Sequence, residues 1–403
     1  MSEYVFKKAI EVKKDVFWVG ALDPQLKIFD VIIPTKYGTS YNSYIIKGNE
    51  KTALIDNVKE DFFDEFMERS SPIASPRQID YMIVSHAEPD HAGGLAKLYE
   101  LNPNIEVLGT AQAIRFVLKV TNQPLKTRVV KEGDRLDLGG KTLSFIAAPF
   151  LHWPDTMFTY CPEDTILYSC DVFGCHYCPE QLFSDEQKNP DSYEEAYKYY
   201  FDSIMSPFKS FVLQALAKIE NLPIDIICTG HGPNIRSEIA EHLKLYHDWA
   251  TVVKPDNPYV VIAYCSAYGY TRKLAKEIVK GIIDSGVKVY SFDFAENHMD
   301  EIVEKIEFAK GILIGSPTFL SDALPPVWEL LSHLNPIIHK GKIAGAFGAY
   351  GWSGEAVQNI EQRFSQLRFK MPVEGLKVNF RPNEEELKKA YEFGKKFGME
   401  TLK

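Results

Sequence analysis

The sequence predicts an α/β protein of two domains, the first built from mixed sheets layered with helices and the second from a doubly wound sheet of five parallel strands. Three observations support this fold class. The chain has 403 residues, whereas one domain usually holds roughly 100–200. The proline-rich segment 254–258 separates two regions whose apolar runs are spaced differently. Beyond it, strand-like and helix-like segments alternate regularly, which is typical of a parallel sheet.

The composition excludes several classes of protein. Hydrophobic residues make up 45% and charged residues 25% of the chain, the usual balance for globular proteins. The net charge of −10 argues against a nucleic-acid partner, which would need a basic surface. We expect no signal peptide after Met1, and no membrane span because no apolar run approaches about 18 residues. Six cysteines do not form a disulfide framework in so long a chain, so we expect a reduced, cytoplasmic protein.

Short apolar runs bounded by Gly, Asp, Asn or charged residues predict the strands of the first domain, residues 1–253. They are Val16–Val19, Tyr44–Ile46, Thr52–Ile55, Ile79–Val84, Thr142–Ile146 and Thr165–Tyr168. Helical segments lie between them, at Glu60–Arg69, Gly94–Tyr99, Ala111–Val120, Tyr193–Ile204 and Phe211–Ile219. Interleaved elements of this kind predict a layered α/β domain.

The segment Lys254-Pro255-Asp256-Asn257-Pro258 predicts a linker, because two prolines and two turn formers stop the helix that ends near Thr251. The second domain, residues 259–403, alternates strands with helices. The strands are predicted at Tyr259–Tyr264, Val287–Phe292, Gly311–Ile314, Ile343–Phe347 and Leu376–Asn379, and the helices at Arg272–Ser285, His298–Ala309, Pro326–Leu334, Glu355–Leu367 and Asn383–Met399. Ligands of a doubly wound sheet bind at the carboxyl ends of its strands.

A cluster of potential metal ligands follows the predicted strand Ile79–Val84. In Ser85-His86-Ala87-Glu88-Pro89-Asp90-His91, four such residues lie close together where the strand is expected to give way to a loop. Imidazole and carboxylate are both good ligands for first-row metals. A single His or Asp in a loop is usually just polar, but the unit H-x-E-x-D-H predicts a metal site.

Three later residues occupy similar positions at the ends of apolar stretches. His152 lies in Pro149-Phe-Leu-His-Trp-Pro-Asp, Asp171 closes the strand Thr165–Tyr168, and His231 closes the stretch Ile226-Ile-Cys-Thr. Alone, each is only slightly favoured as a ligand over an ordinary polar residue. Together with the first cluster they complete a set of seven candidate ligands: His86, Glu88, Asp90, His91, His152, Asp171 and His231.

These motifs resemble the metallo-β-lactamase fold, and most closely its flavodiiron (type A flavoprotein) branch. Hydrolases of that fold usually carry H-x-H-x-D-H and bind zinc, whereas this sequence has Glu88 in place of the second His. A carboxylate in place of imidazole makes the site harder and more anionic, which favours iron. The resemblance implies a metallo-β-lactamase-like αββα sandwich that holds two irons. It assigns one iron to His86, Glu88 and His152, the other to Asp90, His91 and His231, and the bridge between them to Asp171.

The first βα turn of the second domain predicts a phosphate site. It comprises Ser266, Ala267, Tyr268, Gly269, Tyr270 and Thr271. Hydroxyls and a glycine at the start of a helix suit an anion, because backbone N–H groups and the helix dipole face it. The turn is neither G-x-G-x-x-G nor G-x-x-x-x-G-K, which argues against dinucleotides and ATP. It looks like the phosphate loop of flavodoxin, with an ordinary turn of small residues as the alternative.

Two further loops at strand carboxyl ends predict the place of a flat ring. One carries Ser316, Pro317, Thr318 and Phe319, and the other carries Gly348, Ala349, Tyr350, Gly351, Trp352, Ser353 and Gly354. Glycine permits a close backbone approach, and Tyr350 or Trp352 can stack on the ring. The three loops resemble the flavodoxin-like, FMN-binding domain of flavodiiron proteins, except that Phe319-Leu320 stands where members often carry an Asn.

The resemblance implies an oxidoreductase in which FMN relays electrons from an external donor to a non-haem diiron site. That site would reduce dioxygen to water, nitric oxide to nitrous oxide, or both. Tyr199 and Tyr200, in a helix ahead of the last ligand, are candidate hydrogen-bond donors near the irons, with helix packing as the alternative. Two other functions stay open: a zinc hydrolase fused to a flavodoxin module, and a flavin electron shuttle with a structural metal site. Glu88 argues against the first and the seven-ligand set against the second.

The resemblance also implies partners. The donor is expected to be a separate rubredoxin-type protein or a reduced deazaflavin cofactor. The short, proline-stiffened linker keeps the two sites of one chain apart. We therefore expect a head-to-tail homodimer, or a dimer of such dimers, in which each FMN faces the diiron site of the partner chain.

Overall fold

The computed structural model describes residues 7–252 and 255–403, and they form two compact units that divide at residue 252. The predicted linker begins at Lys254, which lies outside the described residues, while residues 255–258 form neither helix nor strand. Among the described residues, no helix combines the length and the apolar character that a membrane crossing requires.

Two mixed sheets form the centre of the first unit. The larger has seven strands, in the order Ile10–Lys13, Val16–Trp18, Tyr44–Lys47, Thr52–Ile55, Tyr81–Val84, Glu106–Gly109 and Lys126–Val129. The smaller has five, in the order Arg135–Asp137, Thr142–Ala147, Met157–Cys161, Ile166–Cys170 and Ile226–Thr229. The last four strands of the larger sheet and the last two of the smaller run parallel. Two short antiparallel pairs lie outside these sheets, Ala21–Asp23 with Thr39–Tyr41 and Ile28–Phe29 with Ile33–Pro34.

Helices cover the outer faces of both sheets. They span Phe63–Ser70, Pro89–Ala92, Leu95–Leu101, Ala111–Thr121, Pro190–Tyr200, Lys209–Ile219 and Ile239–Ala250, with a π-helical segment at Phe201–Met205. Side chains between the sheets form one core, to which Trp18 of the larger sheet and Phe145 of the smaller belong. The outer face of each sheet packs on helices in a core of its own. This layering confirms the expected αββα sandwich.

A single parallel sheet forms the centre of the second unit. Its five strands lie in the order Lys288–Asp293, Tyr259–Tyr264, Gly311–Gly315, Ile343–Tyr350 and Leu376–Asn379. All neighbouring pairs are parallel. The first strand in sequence therefore lies between the second and the third, which is the flavodoxin-like order. The predicted doubly wound sheet is confirmed.

Five helices flank this sheet, with an apolar core on each face. They span Tyr270–Asp284, Met299–Glu307, Pro325–His333, Glu355–Gln366 and Glu384–Thr401. The last begins with a capping box, in which Asn383 Oδ1 accepts the Glu386 amide at 2.9 Å and the Glu386 carboxylate accepts the Asn383 amide at 2.9 Å. Two glycines let the first and last of these helices pack closely. A Cβ on Gly281 or Gly394 would lie 2.1 Å from a backbone oxygen of the facing helix.

Candidate functional site

Strands of both sheets end at the cluster of seven predicted ligands. His86 and Glu88 follow Tyr81–Val84, Asp171 follows Ile166–Cys170, and His231 follows Ile226–Thr229. His152 lies in the loop between the second and third strands of the smaller sheet. The parallel strands of the two sheets thus deliver ligands from distant parts of the chain to one place.

A short helix carries the other two ligands, Asp90 and His91. It spans Pro89–Ala92, with Pro89 in the first position, where the missing N–H of proline is tolerated. The Glu88 carbonyl accepts the amides of His91 and Ala92 at 2.9 and 3.0 Å. The predicted loop is present at residues 85–88, after the strand. The helical turn that follows it was not predicted, and it carries Asp90 and His91.

His86, Glu88 and His152 surround one carboxylate oxygen of Asp171. Glu88 Oε2 lies 3.0 Å from His86 Nε2 and 2.9 Å from His152 Nε2. Asp171 Oδ2 lies 3.7 Å from the first of these nitrogens and 3.8 Å from the second. The four side chains offer ligand atoms within 4.8 Å of one another, a spacing that one metal ion can span.

Asp90, His91 and His231 surround the other oxygen of Asp171. Asp171 Oδ1 lies 3.0 Å from His91 Nε2 and 3.4 Å from His231 Nε2. Asp90 approaches the same two nitrogens, at 3.7 and 3.2 Å. The ligand atoms of Asp90, His91 and His231 also lie within 4.8 Å of one another. Asp171 thus faces two groups of ligands with its two oxygens, as a bridging carboxylate does.

Three carboxylate oxygens in the cluster fit the binding of cations. Both carboxylate oxygens of Asp90 and Oδ2 of Asp171 are buried and make no hydrogen bond among the described residues. Buried carboxylates are costly unless nearby positive charge, here imidazolium or a metal ion, compensates their own. The cluster contains only imidazoles and carboxylates, which suits a hard first-row metal such as iron. The residues present therefore fit a pair of metal ions.

Burial and ion pairing shift the pKa values of these side chains in opposite directions. Burial disfavours the imidazolium of His86, but hydrogen bonds to Asp155 and Glu88 raise its pKa to about 10. Burial likewise opposes charge on His91, yet the Asp171 carboxylate raises its pKa to about 9. Burial acts to raise the pKa of Asp171, but the charge of His91 and hydrogen bonds hold that pKa well below its usual value. The carboxylates stay ionised, and a bound metal ion would replace the protons that they hold on the histidines.

Hydrogen bonds behind the ligands orient two of the rings. His86 Nδ1 lies 3.3 Å from both carboxylate oxygens of Asp155, and Asp155 also accepts the Ala87 amide at 2.7 Å. His231 Nδ1 donates to the Ser40 carbonyl at 2.7 Å. These bonds leave the Nε2 atoms of both histidines for a metal. Asp155 and Ser40 were not predicted as partners of the ligands. Asp155 is the last residue of the segment 149–155 that contains His152, whereas Ser40 acts through its backbone and leaves no sequence signal.

The two candidate tyrosines occupy different environments. Tyr200 is buried, and its hydroxyl donates to Asp171 Oδ1 at 3.2 Å. Tyr199 is 42% exposed and makes no hydrogen bond to the cluster within the described part of the chain. The geometry supports a hydrogen-bonding role for Tyr200 and gives Tyr199 no comparable contact.

A cavity of about 270 Å³ lies at the carboxyl edge of the sheet in the second unit. All three predicted loops line it, with Ala267, Tyr268, Tyr270, Thr271, Pro317, Thr318, Phe319, Ala349, Tyr350, Gly351 and Trp352. Leu320, Ser321, Leu324 and Phe380 complete its wall. The last three were not predicted, since no motif marks them. The mostly apolar and aromatic lining suits a flat, largely apolar ring.

The turn 266–271 presents free backbone amides at the same edge. The helix Tyr270–Asp284 begins after Gly269, whose φ of 79° lies in the left-handed region that favours glycine. Ser266 Oγ accepts the Arg272 amide at 3.1 Å. The amides of residues 267–271 donate no hydrogen bond among the described residues. They fit an anion at the start of a helix, as the phosphate of FMN requires.

Besides Ser266 and Gly269, four predicted residues shape the loops without lining the cavity. Ser316 is buried, and its Oγ accepts the Leu324 amide at 3.0 Å. A Cβ on Gly348 would lie 1.9 Å from the Ser316 carbonyl oxygen, so only glycine fits there. Ser353 donates to Glu355 at 2.7 Å, and Gly354 precedes the helix that begins at Glu355.

Comparisons with known proteins match both units of the chain. The family described as ODP family beta lactamase matches residues 39–232, and the family described as flavodoxin matches residues 262–394. Flavo-diiron protein FprA2 of Clostridium acetobutylicum is 42% identical over 395 residues, covering 96% of this chain and 98% of that protein. The chain belongs to the flavodiiron family.

Other relatives and solved structures extend this similarity. A type A flavoprotein of Rhodobacter capsulatus is 38% identical, covering 96% of this chain and 90% of that protein. Rubredoxin oxygen:oxidoreductase of Desulfovibrio gigas has a TM-score of 0.67 at 28% identity, covering 98% of this chain and 99% of that chain. The flavodiiron protein of Giardia intestinalis has a TM-score of 0.64 at 30% identity, covering 98% of this chain and 97% of that chain. As a flavodiiron protein, this chain uses FMN and a non-haem diiron centre.

Proposed function

We propose that this flavodiiron protein is an oxidoreductase that takes electrons from an external donor through FMN and reduces dioxygen to water, nitric oxide to nitrous oxide, or both. When bound, FMN and the two irons supply the redox chemistry, while the chain supplies ligands, orientation and a dry site. The names of similar proteins support both reactions. One is the rubredoxin oxygen:oxidoreductase described above. Another is the anaerobic nitric oxide reductase flavorubredoxin of Pectobacterium carotovorum, which is 36% identical over 97% of this chain and 78% of that protein.

One observation carries the proposal: the two oxygens of Asp171 face two separate groups of ligands. A carboxylate so placed would hold two metal ions close together, and such a pair could act on one small substrate. We propose His86, Glu88 and His152 for one iron and Asp90, His91 and His231 for the other. The buried hydroxyl of Tyr200 holds the bridging side chain through Asp171 Oδ1. Glu88, where a zinc hydrolase would carry a histidine, favours this reading over hydrolysis.

We propose a head-to-tail homodimer, or a dimer of such dimers, as the working assembly. Apolar side chains near each site support it. Val31 and Ile32 are 88% and 81% exposed. They follow Phe29 and Asp30, and the ring of Phe29 lies 6.3 Å from that of His231, so this segment lies close to the metal ligands. Exposed apolar patches of this kind mark interaction surfaces.

The rim of the FMN cavity carries exposed apolar side chains as well. Trp352 is 84% exposed and Leu320 is 76% exposed, and both line the cavity. We propose that the partner chain covers part of this rim. The donor, a rubredoxin-type protein or a reduced deazaflavin cofactor, would deliver electrons to the part that remains open. A cytoplasmic location is proposed as well, supported by six cysteines that are all free.

The test is gas consumption by the purified protein with a reduced donor. Iron-loaded protein with FMN is expected to consume dioxygen, nitric oxide or both, measured with gas electrodes. The matched control is the same protein after chelation of the metal, with its FMN retained, and this form is expected to be inactive. Activity restored by zinc, or turnover that persists without iron, would contradict the proposal.

A further inference from the structure

The backbone carbonyls of residues 229–232, which carry His231, all accept hydrogen bonds. Asn42 Nδ2 donates to the carbonyls of Thr229 and Gly232, both at 2.9 Å. The Asn42 amide donates to the Gly230 carbonyl at 2.9 Å, and Thr229 Oγ1 donates to the His231 carbonyl itself at 2.9 Å. One residue from another part of the chain thus bonds on both sides of a predicted metal ligand.

The side chain of Asn42 is fixed in one orientation. Trp18 Nε1 donates to Asn42 Oδ1 at 2.8 Å. An indole N–H can only donate and a backbone carbonyl can only accept, so the amide oxygen must face Trp18 and the amide nitrogen must face the loop. Asn42 is 1% exposed, and Trp18 belongs to the core between the two sheets. Asn42 therefore ties the larger sheet to the loop that carries His231.

Ser40, two positions before Asn42, bonds to the same loop. Its carbonyl accepts the ring nitrogen Nδ1 of His231 at 2.7 Å, and its hydroxyl oxygen accepts the Gly232 amide at 2.8 Å. Gly232 suits this close packing, because its φ of 74° lies in the left-handed region that favours glycine. Ser40 thus holds the ring of His231, while Asn42 and Thr229 hold the backbone around it. We call Ser40, Asn42 and Thr229 the His231 clamp.

The position of this loop decides what the ring of His231 can reach. His231 Nε2 lies 3.2 Å from Asp90 Oδ2 and 3.4 Å from Asp171 Oδ1. Hydrogen bonds behind a metal-binding histidine set its orientation and affect the affinity for the metal. Any buried carbonyl needs a hydrogen-bond partner, but Asn42 bonds to carbonyls on both sides of the ligand. A change at Asn42 would therefore shift the backbone that carries the ring.

We propose that Asn42 is a positioning residue that holds His231 towards one of the two metal ions. The inference rests on the ligand set proposed above, in which His231 serves one iron together with Asp90 and His91. The effect is confined to that iron, because the described residues show no hydrogen bond from the His231 clamp to the ligands of the other iron. A carboxylate at position 42 would turn an oxygen towards the two carbonyls that Asn42 now binds, and the loop would move away.

Asn102 offers a matched control in the same unit. It is 5% exposed, and its Nδ2 donates to the carbonyls of Pro76 and Ile79 at 2.9 and 2.8 Å. Its Oδ1 accepts the Asn104 amide at 3.2 Å. Within the described residues, Asn102 makes no hydrogen bond to a predicted ligand or to the loop 229–232. Asn102→Asp therefore removes bonds of the same kind from a buried amide, but away from the metal centre.

The experiment follows iron release from wild type, Asn42→Asp and Asn102→Asp. Each holoprotein is mixed under anaerobic, reducing conditions with an excess of a chromogenic iron(II) chelator, and the coloured complex is recorded over time. Thermal unfolding and flavin absorbance are measured on the same samples. Wild type and Asn102→Asp are expected to release both irons slowly. Asn42→Asp is expected to release one of its two irons roughly 10–100-fold faster, the usual loss of metal affinity when a residue behind a ligand is changed. Its FMN content and unfolding temperature are expected to match those of Asn102→Asp.

Release of both irons from Asn42→Asp at the wild-type rate, or equal acceleration in Asn102→Asp, would overturn the positioning role alone. If Asn42→Asp yields no folded protein, Thr229→Val decides the question, because it removes only the hydroxyl that donates to the His231 carbonyl. Thr229→Val is expected to release one iron faster than wild type, and a wild-type rate would overturn the inference. A wild type that holds no iron pair would overturn the proposed ligand set and, with it, this inference.

Discussion

At the scale of single residues, the charge balance of the metal centre explains why Glu88 matters. The cluster sets three carboxylates, Glu88, Asp90 and Asp171, against four imidazoles. Two iron ions bring several positive charges into a buried site, and each carboxylate offsets part of that charge. A histidine at position 88 would remove one of the three negative charges. We therefore propose that this single departure from the hydrolase pattern favours iron over zinc at the site.

Thr271 allows the FMN site to be tested by the removal of one hydroxyl. Its side chain is buried, lines the cavity and lies in the first turn of the helix Tyr270–Asp284. Thr271→Ala is expected to weaken FMN binding by about 1–3 kcal/mol, the usual effect of losing a hydrogen bond to a charged group. Titration of FMN-free protein with FMN, followed by quenching of flavin fluorescence, measures the change.

Thr401→Ala provides the control for this prediction. Thr401 is equally buried in the second unit, but its hydroxyl donates to the Phe397 carbonyl in the last helix and does not line the cavity. The FMN affinity of the Thr401→Ala variant is expected to match that of the wild type. An unchanged affinity in Thr271→Ala would count against the phosphate loop.

At the scale of elements, the sequence predicts best where its pattern is regular. The second unit alternates strands and helices, and all five predicted strands and five predicted helices are present there. In the first unit the exposed edge strand Lys126–Val129 escapes prediction, because its charged residues show no apolar run. Met157–Cys161 escapes for the opposite reason: it is buried throughout and shows no alternation.

In the metal site, too, the residues that belong to a regular strand pattern are the ones that can be predicted. Ligands at the ends of apolar runs, such as Asp171 and His231, can be predicted from the sequence because parallel strands deliver their carboxyl ends to one edge. The partners behind the ligands cannot be predicted in this way. Asp155 and the Ser40 carbonyl reach their histidines across 69 and 191 positions of the chain, and only the fold shows which of many polar groups lies behind which ring.

At the scale of the whole molecule, the proposed dimer predicts that two different inactive variants can rescue each other. Asp171→Ala is expected to disrupt the diiron site, and a double change of Ser266 and Thr271 to Ala is expected to lose FMN. A mixed dimer would pair one intact FMN with one intact diiron site across chains. Mixing the two variants should therefore restore part of the dioxygen or nitric oxide consumption.

Subunit exchange must be verified by native mass spectrometry for this result to count. Each variant incubated alone serves as the control and is expected to stay inactive. If mixed dimers form but no activity returns, electrons run within one chain and the head-to-tail arrangement is mistaken.

The metal content of Asp171→Ala tests the central claim most directly, since the whole account depends on one carboxylate serving two irons. Elemental analysis and the flavin absorbance are measured together on wild type, Asp171→Ala and Asp164→Ala. Asp164 is a buried aspartate that pairs with Lys141 instead of the cluster. Wild type and Asp164→Ala are expected to hold iron and FMN at a ratio of about two to one, the number of ions a bridged pair implies. Asp171→Ala is expected to keep its FMN and lose both iron and turnover. Full iron content and turnover in Asp171→Ala, or zinc in the wild-type site, would contradict the account.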